Sequence, residues 1–131
     1  MNPEEIASAV AALAADGKAL QTVRLDLRGL TSLADYFVIC TGRSDRQVRA
    51  IHDRIQQGMK YEHGMLPVRS EGITQSQWIL IDYADVIVHI FTPEMRDFYR
   101  LEQLWGEAPV TEFADPELEP QTGSAPAAQS S

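Results

Sequence analysis

Residues 77–92 constrain the fold of this chain more than any other stretch. Two runs rich in β-branched and aromatic residues, 78–81 and 86–91, meet at a polar segment made of Asp82, Tyr83, Ala84 and Asp85. Runs of this composition favour strands, and a short polar segment between them favours a hairpin. The sequence therefore predicts a hairpin in the middle of a β-sheet, with an acidic and aromatic turn.

The length and charge of the chain limit the classes of protein it can be. Its 131 residues, 44% of them hydrophobic, are enough to bury one core. The formal net charge of −8 disfavours non-specific binding to nucleic acid. Residues 111–131 hold four acids and no Lys or Arg, and residues 71–107 hold seven acids against two arginines. The C-terminal half is therefore the acidic half, which predicts a basic partner.

Cysteine usage and hydropathy predict a cytoplasmic protein. Cys40 is the single cysteine, so an intrachain disulfide is impossible and a reducing compartment is expected. No apolar run reaches the roughly 18 residues that a membrane helix needs. The N-terminus has no basic segment ahead of an apolar one, so no secretory signal is expected.

Capping signals predict a helix at the N-terminus. Asn2 can cap it, Pro3 suits its first turn, and Glu5 can complete a capping box. Apolar residues then recur at helical spacing until a glycine stops the run, at Ile6, Val10, Leu13 and Gly17. The helix is expected to lie on a sheet with its apolar stripe inward.

Two strands, a second helix and a third strand are predicted next. Residues 23–28 alternate between apolar and charged side chains, as in a half-exposed strand, and the apolar run Tyr36–Thr41 is typical of a central strand. Ser44 can cap a helix that ends near Gly64. Residues 66–70 again favour a strand, so the helix forms a crossover and part of the sheet is predicted to be parallel.

The sequence predicts one folded domain over residues 1–110 and a disordered, acidic tail over 111–131. After the hairpin, a third helix is expected to begin at Thr92. Its apolar stripe is formed by Phe98, Leu101, Leu104 and Trp105. The tail has too little apolar content to offset the entropy of ordering. The predicted fold class is α/β, with a mixed, mostly β sheet of about five strands packed with helices.

The usual signatures of an enzyme are missing from the sequence. His52, His63 and His89 have no metal-site spacing and Cys40 stands alone in a strand, so neither a metal site nor a nucleophile is expected. The turn at residues 42–44 could cradle a phosphate, but the chain needs the same residues to cap its second helix. Nucleotidyltransferases follow such a turn with two closely spaced, metal-binding acids, which this sequence lacks.

The hairpin contains the residues of greatest functional interest. Asp82 and Asp85 are expected to be turn residues rather than an acid–base pair. Alternation places Trp78, Leu80 and Asp82 on one face of the first strand and Tyr83 on the other. Because Asp82 is not expected to be buried, Trp78 is predicted to be partly exposed.

Two further features have simple structural interpretations. His89 lies among apolar residues of a strand, where a histidine with satisfied hydrogen bonds is expected rather than a switch. Arg43, Arg46 and Arg49 are interpreted as a solvated helix face rather than as a contact with nucleic acid.

Several motifs, in order and at consistent spacing, resemble one known family. Between residues 6 and 109 they comprise residues 35–42, Ser44, Gln47-Val48, Glu71-Gly72, Trp78, Leu80, Asp82-Tyr83, residues 85–89, Phe91, Arg96, Tyr99, Leu101-Glu102, Leu104-Trp105 and Ala108. Each motif alone is weak, but together they resemble the ribosomal silencing factors (RsfS), also called Iojap-like proteins. The resemblance does not extend to the tail.

The resemblance implies a fold like that of nucleotidyltransferases without their catalytic acids, and a protein that is neither an enzyme nor dependent on a cofactor. It implies binding to the large ribosomal subunit through its fourteenth-numbered protein, at the face where the subunits join. Bound there, the protein would block the small subunit and repress translation under nutrient limitation. The partner-binding residues that it implies are Trp78, Asp82, Tyr83 and Asp85, with Glu71 as a weaker candidate. It also implies a possible homodimer.

Three hypotheses of function follow from the sequence. The first is a non-enzymatic silencer that binds the ribosome, with no membrane partner and no sequence-specific nucleic acid. The second is a nucleotide-binding or nucleotidyltransferase-like enzyme that uses the turn Gly42 to Ser44. The third is a dimeric adaptor for another basic protein. The hairpin favours the first, because carboxylates can pair with a basic ribosomal protein while Trp78 and Tyr83 supply anchors.

Overall fold

A six-stranded mixed sheet with helices on both faces forms the fold. The computed structural model describes residues 1–116. Its elements in chain order are α1 (Pro3–Asp16), β1 (Leu20–Asp26), β2 (Tyr36–Thr41), α2 (Asp45–His63), β3 (Arg69–Glu71), β4 (Trp78–Asp82), β5 (Val86–Phe91), α3 (Pro93–Tyr99), α4 (Leu101–Leu104) and β6 (Val110–Glu112). The strand order is β3-β4-β5-β2-β1-β6. The predicted α/β class is confirmed.

The two long helices, α1 and α2, cover one face of the sheet and bury the larger core. The predicted capping box of α1 is present, with Asn2 Oδ1 accepting from the Glu5 amide at 2.8 Å and Glu5 Oε1 accepting from the Asn2 amide at 2.9 Å. Apolar residues of both helices pack against the inward side chains of β2, β4 and β5, among them Ile6, Val10, Leu13, Val48, Ile51, Ile55, Met59, Val38, Ile81 and Val88. Each fully buried aliphatic side chain contributes about 1.5–3 kcal/mol relative to exposure, so this layer supplies much of the stability.

The parallel pair of strands differs from the expected one. β2 pairs in parallel with β5, whereas β3 pairs antiparallel with β4 at the edge of the sheet. The chain does cross over through α2, but the β4–β5 hairpin lies between β2 and β3. Leu66 and Val68, expected to belong to the third strand, are 67% and 68% exposed. The hairpin is more apolar than residues 66–70, so it occupies the centre and leaves β3 short and peripheral.

The third helix is broken into two, contrary to the single helix expected. α3 ends at Tyr99, and Arg100, whose φ of +49° is in the left-handed region, separates it from α4. Arg96 holds this arrangement, because its guanidinium donates to the Gln21 carbonyl at 2.6 Å and binds the Glu102 carboxylate at 2.7 Å. None of the helices within residues 1–116 is long and apolar enough to cross a membrane.

The folded region continues beyond the predicted boundary at residue 110. Thr111 and Glu112 belong to β6 and pair with β1, which adds a sixth strand to the five expected. The Asp115 carboxylate also accepts from the Gln21 amide at 2.7 Å. Pairing through the backbone needs little apolar content, so composition did not reveal this strand. The rest of the predicted tail, residues 117–131, lies outside the described residues.

Candidate functional site

The face of β3, β4 and β5 opposite α1 and α2 is the most distinctive surface of the described chain. Direct cross-strand partners share a face of an antiparallel sheet, and the register pairs Arg69 with Asp82, Asp82 with Ile87, and Glu71 with Leu80. We call this surface the open sheet face and define it by Arg69, Glu71, Trp78, Leu80, Asp82 and Ile87. The helices α3 and α4 pack farther along the same side of the sheet, over a second, smaller core.

Trp78 is half-buried on the open sheet face, as predicted. Its indole stacks on Phe91 with ring centroids 5.0 Å apart and lies 4.5 Å from the ring of Tyr99. Its Nε1–H donates to Nδ1 of His89 at 3.1 Å. The indole therefore sits in a fixed orientation with part of its surface available to a partner.

Two aromatic residues beside Trp78 extend this surface, and sequence reasoning did not identify them as site residues. Tyr99 is 45% exposed and Phe98 is 75% exposed, with ring centroids 5.0 Å apart. Phe98 was expected to lie in the inward stripe of a single helix. The break at Arg100 interrupts the helical spacing, and Leu101 packs against the smaller core while Phe98 faces solvent. No local signal in the sequence marks this break.

Tyr83 does not lie on the open sheet face. Its side chain is 5% exposed and packs in the core beneath α1 and α2, on the other side of the sheet from Trp78. Burial raises the pKa of its phenol to about 12. The phenol oxygen is buried without a hydrogen-bond partner among the described residues. The structure thus corrects the expectation that Trp78 and Tyr83 form a shared surface anchor, because Tyr83 is a core residue.

The three candidate carboxylates have different surroundings. Asp82 accepts from the Ala84 amide at 2.7 Å, which makes it the turn residue that was predicted. Arg69 lies between two of them, with its Nε 2.8 Å from the Glu71 carboxylate and its Nη2 3.7 Å from that of Asp82. Asp85 is exposed at the hairpin turn. The site therefore combines a half-buried indole with an acidic border that already contains one cation.

His89 is buried directly beneath this surface. It is 4% exposed, and burial lowers the pKa of its imidazole to about 4. Its Nδ1 accepts from Trp78, whereas its Nε2 has no partner among the described residues. The sequence interpretation of His89 as a fully satisfied histidine is therefore only half correct.

The depressed pKa of His89 predicts that the protein loses stability in mild acid. Between pH 6.5 and pH 4 the unfolded chain binds a proton at this residue and the folded chain does not, so acid favours unfolding. The loss is complete once the pH falls below the folded-state pKa and amounts to on the order of 3 kcal/mol. Denaturant unfolding at pH 7 and pH 4 measures it. His89→Phe should show a smaller loss, and an equal loss in both proteins would assign it to other groups.

The other candidate sites have structural explanations. Ser44 Oγ accepts from the Gln47 amide at 3.2 Å, and Gln47 Oε1 accepts from the Arg43 amide at 2.9 Å, so two of the amides that could hold a phosphate are already bonded. A Cβ at Gly42 would lie 2.8 Å from the Val48 nitrogen, so close packing explains the glycine.

Burial raises the pKa of the Cys40 thiol to about 12, so this cysteine is not an activated nucleophile. Within residues 1–116, no group of three or more His, Cys, Asp or Glu side chains could hold a metal ion.

Comparison with known proteins identifies relatives that match most of the chain. Residues 1–131 match the family model described as "Ribosomal silencing factor during starvation". Ribosomal silencing factor RsfS of Bacillus subtilis is 40% identical over 113 residues, which cover 86% of this chain and 95% of that protein. RsfS of Halalkalibacterium halodurans is 44% identical over 98 residues, covering 75% and 83%. A crystal structure of a Chromobacterium violaceum protein superposes with a TM-score of 0.78 at 39% identity, covering 81% of this chain and 88% of the other.

Proposed function

The chain belongs to the family of ribosomal silencing factors, and from this premise we propose that it binds the large ribosomal subunit and blocks its joining to the small subunit. The proposed contact is the fourteenth-numbered ribosomal protein, at the face where the subunits meet. The observation that carries the proposal is the open sheet face, where a half-buried indole lies beside carboxylates on a rigid sheet.

The chemistry of the open sheet face suits a basic protein partner. Trp78, Leu80 and Ile87 are half-buried apolar groups, of the kind that form the desolvated centre of an interface. Glu71 and Asp82 lie beside them on the same face, and Asp85 is exposed at the hairpin turn. These carboxylates can pair with lysine or arginine, which steers encounter and fixes register. Tyr83 plays no part in this contact, because its ring lies on the other side of the sheet.

Blocking is steric and needs no catalytic step or cofactor. A domain of this size is roughly 30 Å across by compactness scaling. Bound at the joining face, it occupies space that the small subunit must fill. Translation then falls with the fraction of large subunits that carry the protein, and occupancy depends on affinity and concentration alone.

Sedimentation with separated ribosomal subunits tests the proposal. We expect the protein to co-sediment with large subunits and not with small ones, and to reduce the fraction of joined ribosomes when the subunits are mixed. Adding the isolated fourteenth-numbered protein should compete for binding. Co-sedimentation with small subunits, or binding to large subunits with normal joining, would contradict it.

Neither alternative hypothesis gains a specific observation from the structure. Residues of the turn at 42–44 are hydrogen-bonded to Gln47 of α2, and the described residues lack a group of metal-binding acids. A saturable response to nucleotide and magnesium in calorimetry would nevertheless restore the enzyme hypothesis. Recovery of a non-ribosomal basic protein in place of ribosomal proteins would favour the adaptor. The possible homodimer remains a prediction, which the sedimentation coefficient of the free protein measures.

Arg69→Ala is expected to strengthen binding about two- to fivefold at low ionic strength. Arg69 occupies the Glu71 and Asp82 carboxylates, and a basic partner must displace it to reach them. The gain should shrink as salt screens the exposed charges. Equilibrium binding to large subunits at two salt concentrations measures the effect.

Arg49→Ala is a matched control for the Arg69 variant. Arg49 is similarly exposed and forms an ion pair with Asp53 at 3.7 Å, but it lies on α2, away from the open sheet face. Both variants remove one positive charge, so an equal gain from the two would point to net charge alone. Weaker binding by Arg69→Ala would mean instead that Arg69 itself contacts the partner.

A further inference from the structure

The contact between Trp78 and His89 has features that packing alone does not explain. The two residues are diagonal neighbours on adjacent strands, since Trp78 lies opposite Phe91 and His89 lies opposite Leu80. The indole nitrogen carries a hydrogen and can only donate, so Nδ1 of His89 must be the acceptor. This contact therefore requires the neutral tautomer of the imidazole that carries its proton on Nε2.

Burying that N–H without a partner lowers the stability of the folded protein. Nε2 is buried and has no partner among the described residues. A buried donor without a partner costs roughly 1–3 kcal/mol. Phe37 and Phe91 lie beside the imidazole, with centroids at 4.5 Å and 6.1 Å, and an apolar ring in its place would avoid the cost. The feature that imidazole supplies and an apolar ring lacks is the acceptor for Trp78.

We propose that His89 is a positioning residue, which holds the Trp78 indole in the orientation that engages the partner. The inference rests on the proposed function, in which Trp78 is the central anchor of the open sheet face. His89 is 4% exposed, so it would act on the partner through Trp78 and not by direct contact. It acts by presenting one edge of the indole and by removing rotational freedom that binding would otherwise have to remove.

The neighbours of the indole show why a hydrogen bond is needed to orient it. Phe91 stacks on Trp78 with the planes 29° apart, and Tyr99 meets it at 46°. Stacking constrains the plane of the indole but tolerates a half-turn about the Cβ–Cγ bond, which keeps the plane and exchanges the two edges of the ring. A hydrogen bond at Nε1 selects one of these two orientations. Tyr99 is 45% exposed and belongs to the short helix α3, so it is a weaker restraint than the buried imidazole.

Two substitutions separate the acceptor from the ring. His89→Phe keeps an aromatic ring of similar size and loses the acceptor. His89→Asn loses the ring and keeps an acceptor oxygen near the position of Nδ1. We expect His89→Phe to weaken binding to purified large subunits about fivefold, the equivalent of one net hydrogen bond. We expect His89→Asn to recover a substantial part of that loss.

A double-mutant cycle with Trp78→Phe shows whether His89 acts through the indole. Phenylalanine has no N–H to donate, so His89→Phe should have no further effect on binding in the Trp78→Phe background. A purely structural role would predict the same loss in both backgrounds. An equal loss in the two backgrounds, or unchanged binding by His89→Phe with Trp78 present, would overturn the inference.

The unmodified protein provides a second and independent measurement. In nitrogen-labelled protein, the indole N–H signal of Trp78, assigned by its loss in Trp78→Phe, should exchange slowly with water and shift in His89→Phe. Fast exchange in the unmodified protein would overturn the inference even if a variant failed to fold. If the unmodified protein did not bind large subunits but its indole N–H were protected, the result would count against the proposed function. It would still support the hydrogen bond from Trp78 to His89.

Discussion

Trp78→Ala is expected to weaken binding to the large ribosomal subunit about 30-fold or more. Truncating a central aromatic anchor costs on the order of 2 kcal/mol, which corresponds to that factor. Some stability is lost as well, because the indole packs on Phe91 and Tyr99. Binding is therefore measured well below the unfolding midpoint, with circular dichroism to confirm that the variant is folded.

Tyr61→Ala is the matched control for the Trp78 variant. Tyr61 is 76% exposed and lies on α2, on the side of the sheet opposite the open sheet face. Its truncation also removes an aromatic ring from the surface, but not from the open sheet face. We expect its binding to equal that of the unmodified protein. If folded Trp78→Ala bound as tightly as Tyr61→Ala, the open sheet face would not be the ribosome contact.

Tyr83→Ala is expected to lower the free energy of unfolding by about 3–5 kcal/mol, because it leaves a cavity in the main core. Tyr83→Phe should leave stability nearly unchanged or raise it slightly, since it removes a buried hydroxyl that has no partner. Urea unfolding of the three proteins measures both effects. Tyr83→Phe should also bind the large subunit normally.

The pair of Tyr83 variants distinguishes a core role from a contact role. A surface anchor would lose binding on truncation with little loss of stability, which is the behaviour that the sequence alone suggested. A core residue loses stability first, and binding falls only when the protein unfolds. Normal stability together with lost binding in Tyr83→Ala would show that the ring reaches the partner.

The placement of Tyr83 illustrates where sequence reasoning was limited. Alternation along β4 already assigned Trp78 and Tyr83 to opposite faces of the sheet, whereas the family resemblance grouped both residues in one binding site. The structure follows alternation, because a one-residue step along a strand reverses the side of the sheet on which a side chain lies. Leu80 was placed beside Trp78 by the same rule. Ile87 needed the register of β4 and β5, which lies beyond the reach of local pattern.

Other parts of the site depend on the meeting of distant segments. Arg69 reaches Asp82 because β3 pairs antiparallel with β4 at the sheet edge, whereas the sequence predicted a third strand at residues 66–70 that follows a parallel crossover. Tyr99, the last residue of α3, contacts Trp78 of β4. Both contacts depend on where chain ends and turns lie in space, and no local propensity encodes that.

The sequence by itself determined the local elements of this protein: the capped helices α1 and α2 with their apolar stripes, the central hairpin, and the side of β4 on which Trp78 lies. These follow from interactions between residues a few positions apart, which capping chemistry and periodicity express directly. Only the tertiary structure decided the parallel partner of β2, the sixth strand and the hydrogen bond from Trp78 to His89. It also decided the close approach of α1 and α2, where a side chain at Gly58 would collide with Leu13. Such features depend on packing between segments far apart in sequence, whose energies are settled only when the whole core is assembled.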